Sequence, residues 1–157
     1  MDSQFLDHFN HLKEIVSTGM LDKNILLIEE TSNSPFVYLN PVNGIIFIKG
    51  ECRPPDLSEF FNPINEFIEN KFIYTKDIEG HFLFTYFNSS SGKRILDLTK
   101  ILYSLSKIGN NVKCYWYYEK GDLDMLSVGE EISRIVKMPF QFVEVEDYNL
   151  DWLKPDL

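Results

Sequence analysis

Apolar and polar positions follow two different periods along the chain. Between residues 2 and 18 the apolar side chains recur at helical spacing, and Gly19 follows as a stop signal. This stripe consists of Phe5, Leu6, Phe9, Leu12, Ile15 and Val16. Three apolar runs over 24–30, 36–39 and 45–49 then predict strands, the last two joined by an Asn43-Gly44 step that is typical of hairpins. The first third therefore predicts a helix followed by a β-hairpin unit.

The remainder of the chain predicts helices that alternate with strands. Apolar stripes at helical spacing cover 57–68, 95–105 and 125–136, and strand-like runs cover 81–87, 112–118 and 140–145. Pro63 interrupts the first stripe, so the helix either starts near Asn62 or is kinked at Pro63. The simpler prediction is a short first turn, with Asn62 as the N-cap and Pro63 at the first position of the main helix. This order favours an α/β fold with one mixed β-sheet and helices packed on it.

The same pattern sets the domain boundaries. We predict a helical extension in residues 1–24, an α/β domain in 25–145 and an acidic tail in 146–157. The 157 residues are the length of one domain. No internal repeat or linker divides them.

Charge and composition exclude several classes of function. The chain has 15 Lys and Arg against 24 Asp and Glu, a net charge of −9, which argues against nucleic acid and anionic lipid as partners. The N-terminus lacks the basic and apolar regions of a secretory signal, and no apolar run is long enough to span a membrane. We therefore expect a cytoplasmic protein. Its aromatic fraction of 15% must fill a core or supply a contact surface.

Metal and cofactor motifs are not found in the sequence. Cys52 and Cys114 form no disulfide framework or zinc motif, and His8, His11 and His81 form no ligand set. The acidic positions 122, 124, 130 and 131 match no calcium loop, so a solvated loop and an acidic first helical turn are favoured there. We expect neither a metal nor a cofactor.

A serine-rich turn is the strongest candidate for chemistry. The segment from Asn88 to Arg94 ends a predicted strand and opens a predicted helix. A phosphate on a hydroxyl there would be stabilised by free backbone N–H groups and by Lys93 or Arg94. The alternative is that a serine only caps the helix, and composition alone favours this alternative.

The run Tyr115-Trp116-Tyr117-Tyr118 is the main aromatic feature. Alternate rings of a strand point to opposite faces, so one set would fill the core. The other set could form a contact patch, since Tyr and Trp are favoured at interfaces.

Several of these segments, in their order and spacing, resemble the SiaC family of bacterial regulatory phosphoproteins. The resemblance extends from about residue 28 to about residue 143. It rests on TSNSPFV at 31–37, Gly50-Glu51, EFFNPI at 59–64, YFNSSSGK at 86–93, WYY at 116–118, DLDMLSVGEE at 122–131 and Pro139-Phe140.

The resemblance implies a fold and a mode of action. The fold would be similar to anti-sigma-factor antagonist (STAS-like) domains, and the protein would not be an enzyme. Family members are switches: a dedicated kinase phosphorylates one hydroxyl in the strand-to-helix turn, and a PP2C-type phosphatase removes the phosphate. The unphosphorylated form binds and activates a diguanylate cyclase. By position Ser89 matches the phosphorylated threonine of the family, with Ser90 and Ser91 as alternatives.

We also predict which residues would neighbour the phosphate and which would bind a partner. Asn88, Lys93 and Arg94 would neighbour the phosphate. The partner surface would include Glu51, Arg53, Tyr86, Tyr117, Asp122 and Asp124. The chain departs from the family pattern at Ser89, usually a threonine, and in the loop 52–56, where the family usually has a Ser-Tyr-Pro-Glu-Asn-like segment.

Two other interpretations stay open. The chain could be a constitutive interaction domain in which Ser89 is only a helix cap. It could also be a metal-dependent enzyme that uses Asp122, Asp124 and Glu131.

Overall fold

A six-stranded mixed β-sheet forms the centre of the protein in the computed structural model, which describes residues 24–146. The strands lie side by side in chain order. They are β1 (Leu26–Ile28), β2 (Phe36–Asn40), β3 (Ile45–Cys52), β4 (Asp77–Phe87), β5 (Asn111–Glu119) and β6 (Phe140–Val145). The pairs β1–β2 and β2–β3 are antiparallel, whereas β3, β4, β5 and β6 run parallel. The mixed α/β fold predicted from the sequence is therefore confirmed.

Three helices connect the parallel strands. They are α1 (Leu57–Lys71), α2 (Ser89–Lys107) and α3 (Leu123–Val136), and a short 3₁₀ helix (Phe72–Tyr74) follows α1. Crossovers between parallel strands are right-handed, so connections that all advance in one direction put their helices on the same face of the sheet. Buried residues of all three helices accordingly share one core with the strands, which includes the large rings of Trp116, Phe82 and Phe61.

The hairpin that the sequence predicts is present. Asn40 pairs with Ile45 across the turn, and the Asn40 side-chain carbonyl accepts from the backbone N–H groups of Val42 and Asn43. Gly44 has φ +73°, a conformation that glycine adopts without strain. The predicted strands over 112–118 and 140–145 are also confirmed.

The predicted start of α1 is wrong. The helix begins at Leu57, and its N-cap is Asp56, whose carboxylate accepts from the Glu59 N–H at 3.0 Å. The helix continues through Pro63, which is exposed, so its ring meets solvent rather than the core. Burial of Phe61 to 1% exposure is among the contacts that offset the cost of about 3 kcal/mol for an internal proline.

The second face of the sheet carries no helix among residues 24–146, and we call it the helix-free face. It has a buried cluster of its own. Within residues 24–146 its buried members all come from strands: Phe36, Tyr38, Ile45, Phe47, Leu83, Tyr117 and Val145, with Ile25, Leu27, Tyr115 and Val143 packed against them. The predicted N-terminal helix and acidic tail lie outside residues 24–146, apart from the first tail residue. Within those residues no helix is both long and apolar enough to cross a membrane.

Candidate functional site

The carboxyl ends of the parallel strands meet at one edge of the sheet, and each helix begins there. All three helices have an Asp or Asn N-cap at this edge. Asp56 accepts from Glu59 N–H, Asn88 accepts from Ser91 N–H at 2.8 Å, and Asp122 accepts from Met125 N–H at 3.1 Å. We call this the carboxyl edge. It gathers most of the residues that the sequence analysis singled out.

A shift in the β3–β4 register places Glu51 beside Tyr86. Gly50 pairs with Phe84, but the next pair is Glu51 with Tyr86, so one residue of β4 is skipped. Gly50 has φ +124°, and a side chain there would overlap the carboxylate of Glu30. The irregularity pairs Tyr86, whose side chain is 51% exposed, with Glu51 at the carboxyl edge.

The loop after β3 is held by two contacts. The Arg53 guanidinium forms an ion pair with Glu51 at 3.2 Å, and both side chains are partly exposed. The Arg53 backbone N–H donates to the Asn33 carbonyl at 2.8 Å. Glu51 and Arg53 therefore lie together, with their charges available at the surface.

A groove of about 330 Å³ opens beside this loop. It lies between the turn after β1 and the start of α1. Its lining includes Ile28, Thr31, Ser34, Pro54, Pro55, Phe60 and Pro63. The two prolines of the loop thus form one wall of a partly apolar surface next to Arg53.

The three serines of the turn differ in exposure and role. Ser89 is the first residue of α2, and Ser89 and Ser90 are exposed, whereas Ser91 is fully buried. The N-cap is Asn88, so the alternative in which Ser89 caps the helix is wrong. Within residues 24–146 the Ser89 hydroxyl makes no hydrogen bond, which leaves it open to solvent and to an enzyme.

Ser91 faces the interior beside Cys52. Burial raises the pKa of the Cys52 thiol to about 12, and the neighbouring Ser91 hydroxyl lowers it by a smaller amount. A phosphate on Ser91 would have to enter this buried space. In the folded domain the Ser91 hydroxyl is therefore not accessible from solvent.

The two basic residues after the turn have different surroundings. Lys93 is exposed and lies one helical turn after Ser89, on the same side of α2. Arg94 instead spans to α1, where it donates to the Ser58 hydroxyl at 2.6 Å and to the Asn62 side-chain carbonyl at 3.4 Å. Lys93 is the better placed of the two to neighbour a phosphate on Ser89.

Trp116 packs against α3, the helix whose start carries the acidic residues Asp122 and Asp124. Asp122 is the N-cap and Asp124 lies exposed in the first turn. The Trp116 indole N–H donates to the Met125 carbonyl at 3.0 Å, and its ring lies against Gly129, where a methyl group would overlap it. Among residues 24–146 no group of three His, Cys, Asp or Glu side chains is placed to hold a metal ion.

Tyr117 does not form part of a contact patch, so this prediction is wrong. Its side chain is 2% exposed on the helix-free face, and its hydroxyl lies 2.8 Å from Nδ1 of His81. The His81 Nε2 atom lies 3.2 Å from a carboxylate oxygen of Glu79, and the His81 ring stacks on Tyr115 at 4.9 Å. On this face Tyr117 belongs to a buried cluster of strand side chains, so its ring is not available to a partner.

Comparison with known proteins identifies the family. The model of the SiaC family of regulatory phosphoproteins matches residues 28–145, most of the chain. The chain belongs to the SiaC family. No protein with a curated description matches it.

Solved structures of SiaC share the fold of this family member. A chain in the crystal structure of the diguanylate cyclase SiaD in complex with its activator SiaC, from Pseudomonas aeruginosa, superposes with a TM-score of 0.71. It is 22% identical, and the match covers 76% of this chain and 99% of that chain. Apo-SiaC from the same organism gives a TM-score of 0.66 at 22% identity, covering 76% and 97% of the two chains.

Sequence reasoning missed the roles of two residues in this SiaC-family domain. The sequence did contain a signal for the capping role of Asn88: asparagine is a preferred N-cap residue, and it comes directly before the serines that open α2. Its side chain accepts from the N–H of Ser91, the third helical residue. The bridge from Arg94 to α1 had no such signal. It depends on the contact between α1 and α2, which only the fold creates.

Proposed function

We propose that this protein is a phosphorylation-controlled activator of a diguanylate cyclase, with Ser89 as the modified residue. A dedicated kinase adds the phosphate and a PP2C-type phosphatase removes it. The unphosphorylated form binds the cyclase through the carboxyl edge, and the phosphate on Ser89 releases it. The protein itself performs no catalysis in this scheme.

The observation that carries the proposal is the state of the Ser89 hydroxyl. It is exposed at the first position of α2, and the capping bond that would otherwise occupy it is made by Asn88. A kinase can therefore reach it without unfolding the helix. The same reasoning favours Ser89 over Ser91, which is buried.

The helix terminus would accommodate the phosphate without a change of fold. The first N–H groups of a helix have no partner within the helix, and the positive end of its dipole favours an anion. Lys93, one turn later, adds a positive charge on the same side. A phosphate of about −1.5 to −2 charges at neutral pH is thus stabilised locally.

The position of Ser89 along the carboxyl edge explains how the phosphate would affect a partner. Strand β4 lies between β3 and β5, so Ser89 follows the middle strand of the three. The pair Glu51–Arg53 lies on one side of it, and Asp122 with Asp124 lies on the other. A partner that covers these residues would cover Ser89 as well, and two added negative charges would then be buried against it at a cost in binding free energy.

Tyr86 is the candidate anchor of this surface. It is a large ring, 51% exposed, beside a charged pair whose carboxylate and guanidinium can form hydrogen bonds across an interface. Exposed Tyr and Arg side chains are over-represented among residues that dominate binding energy. The choice of a cyclase as partner is supported by family membership and by the SiaD–SiaC complex of Pseudomonas aeruginosa.

Phosphosite mapping tests the proposal directly. Protein purified from its native host is analysed by intact mass and by peptide fragmentation, with and without phosphatase treatment. We expect one phosphate per chain, located on Ser89, that is lost in Ser89→Ala and retained in the matched control Ser90→Ala. If no phosphorylated form occurs, and Ser89→Ala and Ser89→Asp bind the cyclase alike, the protein is a constitutive interaction domain instead.

A further inference from the structure

The helix-free face is as deeply buried as the main core, although no described helix lies on it. The exposed fractions of Leu83 and Tyr117 are 0% and 2%, and those of Tyr38 and Phe47 are both 3%. These side chains belong to the cluster whose buried members within residues 24–146 all come from strands. A sheet face with this many aromatic and aliphatic side chains would otherwise be a very large apolar patch. A further segment is needed to complete the fold.

We propose that residues 1–23 form an amphipathic helix that packs across the helix-free face and makes the domain a three-layer structure. The family match begins only at residue 28, so this layer would be an addition to the shared SiaC domain. It would also remove the face from the surfaces open to a partner. A cyclase would then be confined to the carboxyl edge and the helical side.

The point at which the segment joins the domain supports this placement. Residue 24 leads directly into Ile25 and Leu27, and both side chains pack against the cluster on the helix-free face. The segment therefore enters the domain at the face that it is proposed to cover. Its apolar stripe of Phe5, Leu6, Phe9, Leu12, Ile15 and Val16 supplies the side chains that such a face requires.

The dimensions also agree. A helix over residues 3–18 would be about 24 Å long at roughly 1.5 Å per residue. Six strands at about 4.8 Å spacing span roughly 24 Å from the first strand to the last. The acidic tail also leaves from this side, after Val145, but it is shorter, and Pro155 interrupts it.

The polar groups in the middle of the face are arranged for burial. His81 contacts both the Tyr117 hydroxyl and the Glu79 carboxylate, and it stacks on Tyr115. Buried polar groups are tolerated where they are hydrogen-bonded. The trio thus lets an apolar helix cover the face without leaving these groups unsatisfied.

Paramagnetic labelling of the full-length protein tests the proposal. Cys52 and Cys114 are buried, so a nitroxide reacts selectively with a new cysteine at Asn10→Cys. We expect the label to broaden amide signals of β4 and β5 around His81 and Tyr117 and to leave the exposed side of α1 unaffected. Broadening of α1 without β4 and β5, or no broadening at all, would overturn the proposal.

Two further labelling experiments test whether a second copy of the chain or the acidic tail covers the helix-free face instead. Protein that carries the nitroxide is mixed with a second sample that is isotope-enriched but carries no nitroxide, and the signals of the second sample are observed. We expect no broadening. Broadening would show that a second copy of the chain covers the face and would refute the proposal. A label at Lys154→Cys should affect the face less than the label at residue 10. The opposite order would assign the face to the tail and refute the proposal.

A substitution pair checks the energetic role of the stripe. Phe9→Asp should lower the melting temperature by roughly 10 °C, the order expected for loss of a buried Phe in a domain of this size. The adjacent Asn10→Asp, away from the stripe, should change it by less than about 2 °C. Equal melting temperatures for the two variants would contradict the proposed packing.

Discussion

Three adjacent serines at the start of α2 differ because of the geometry of a helix N-terminus. Asn88 supplies the cap, Ser89 and Ser90 point to solvent, and Ser91 turns inward beside Cys52. A negative charge is therefore expected to have opposite effects at the first and third of these positions. The contrast can be measured without knowing any partner.

Ser89→Asp should stabilise the domain slightly, by about 0.3–1 kcal/mol, because the charge meets the positive end of the α2 dipole. Ser91→Asp should destabilise it by several kcal/mol, because it buries an unpaired carboxylate. Urea unfolding at neutral pH measures both. A Ser91→Asp variant as stable as the wild type would contradict the buried placement of Ser91.

The capping role of Asn88 makes a second prediction at this scale. Asn88→Ala should lower the free energy of unfolding by about 1 kcal/mol, since the Ser91 N–H loses its acceptor. Ser89→Ala is the matched control and should change stability by less than about 0.5 kcal/mol. If the two substitutions cost the same, the assignment of the cap is wrong.

At the scale of elements, the contact between β5 and α3 positions the acidic side of the carboxyl edge. Gly129 lies against the Trp116 ring, and the indole N–H bonds to the first turn of α3. Gly129→Ala should destabilise the domain by about 1–3 kcal/mol through overpacking, despite the better helix propensity of alanine. A changed Trp116 fluorescence spectrum should accompany the loss. Ser127→Ala, on the exposed side of α3, is the control and should be neutral.

The sequence predicted correctly those helices and strands whose signals lie within their own segment, such as turn residues and apolar runs. The hairpin and β6 follow from turn chemistry and apolar runs, and both are found where predicted. The start of α1 was placed too late, because the Pro63 rule is local whereas the burial of Phe61 is a property of the packed domain. Tyr117 was misassigned because alternation along a strand does not reveal what covers its second face.

The location of the candidate site could be predicted from the sequence, but the arrangement of its side chains could not. A strand followed by a polar turn and a helix is visible in the sequence, and parallel strands collect such turns at one edge. The irregularity that pairs Glu51 with Tyr86 is not visible, because it arises between two strands. The exposure of Ser89 relative to Ser91 likewise depends on how α2 packs on the sheet.

At the scale of the whole molecule, two buried thiols link stability to pH. Burial raises the pKa of both Cys52 and Cys114 to about 12, above the ordinary thiol value of 9.0. The folded state therefore keeps protons that the unfolded chain releases above about pH 9. The stabilisation is fully present below that pH and is lost as pH rises towards 12, at up to about 1.4 kcal/mol per pH unit for each thiol.

Unfolding titrations between pH 8 and 11 test this. We expect a steeper decline of the unfolding free energy in the wild type than in Cys114→Ala, whose slope lacks one thiol. Identical slopes would show that the Cys114 thiol is not protected in the folded state. Only the slopes are compared, since the substitution also removes packing.

The net negative charge of the molecule bears on how the proposed phosphorylation of Ser89 would affect partner binding. The chain carries a net charge of −9, and acidic groups lie on both sides of Ser89 at the carboxyl edge. In the proposed switch, a phosphate on Ser89 would add negative charge to this edge and would act through repulsion and desolvation at the interface rather than through a new fold. The affinity for the partner is then the quantity that must change.

The proposed switch can be measured by titrating the diguanylate cyclase of the native host with unphosphorylated and with fully Ser89-phosphorylated protein. We expect phosphorylation to weaken binding at least tenfold, about 1.4 kcal/mol, and phosphatase treatment to restore it. Equal affinity of the two forms would refute control of binding by Ser89.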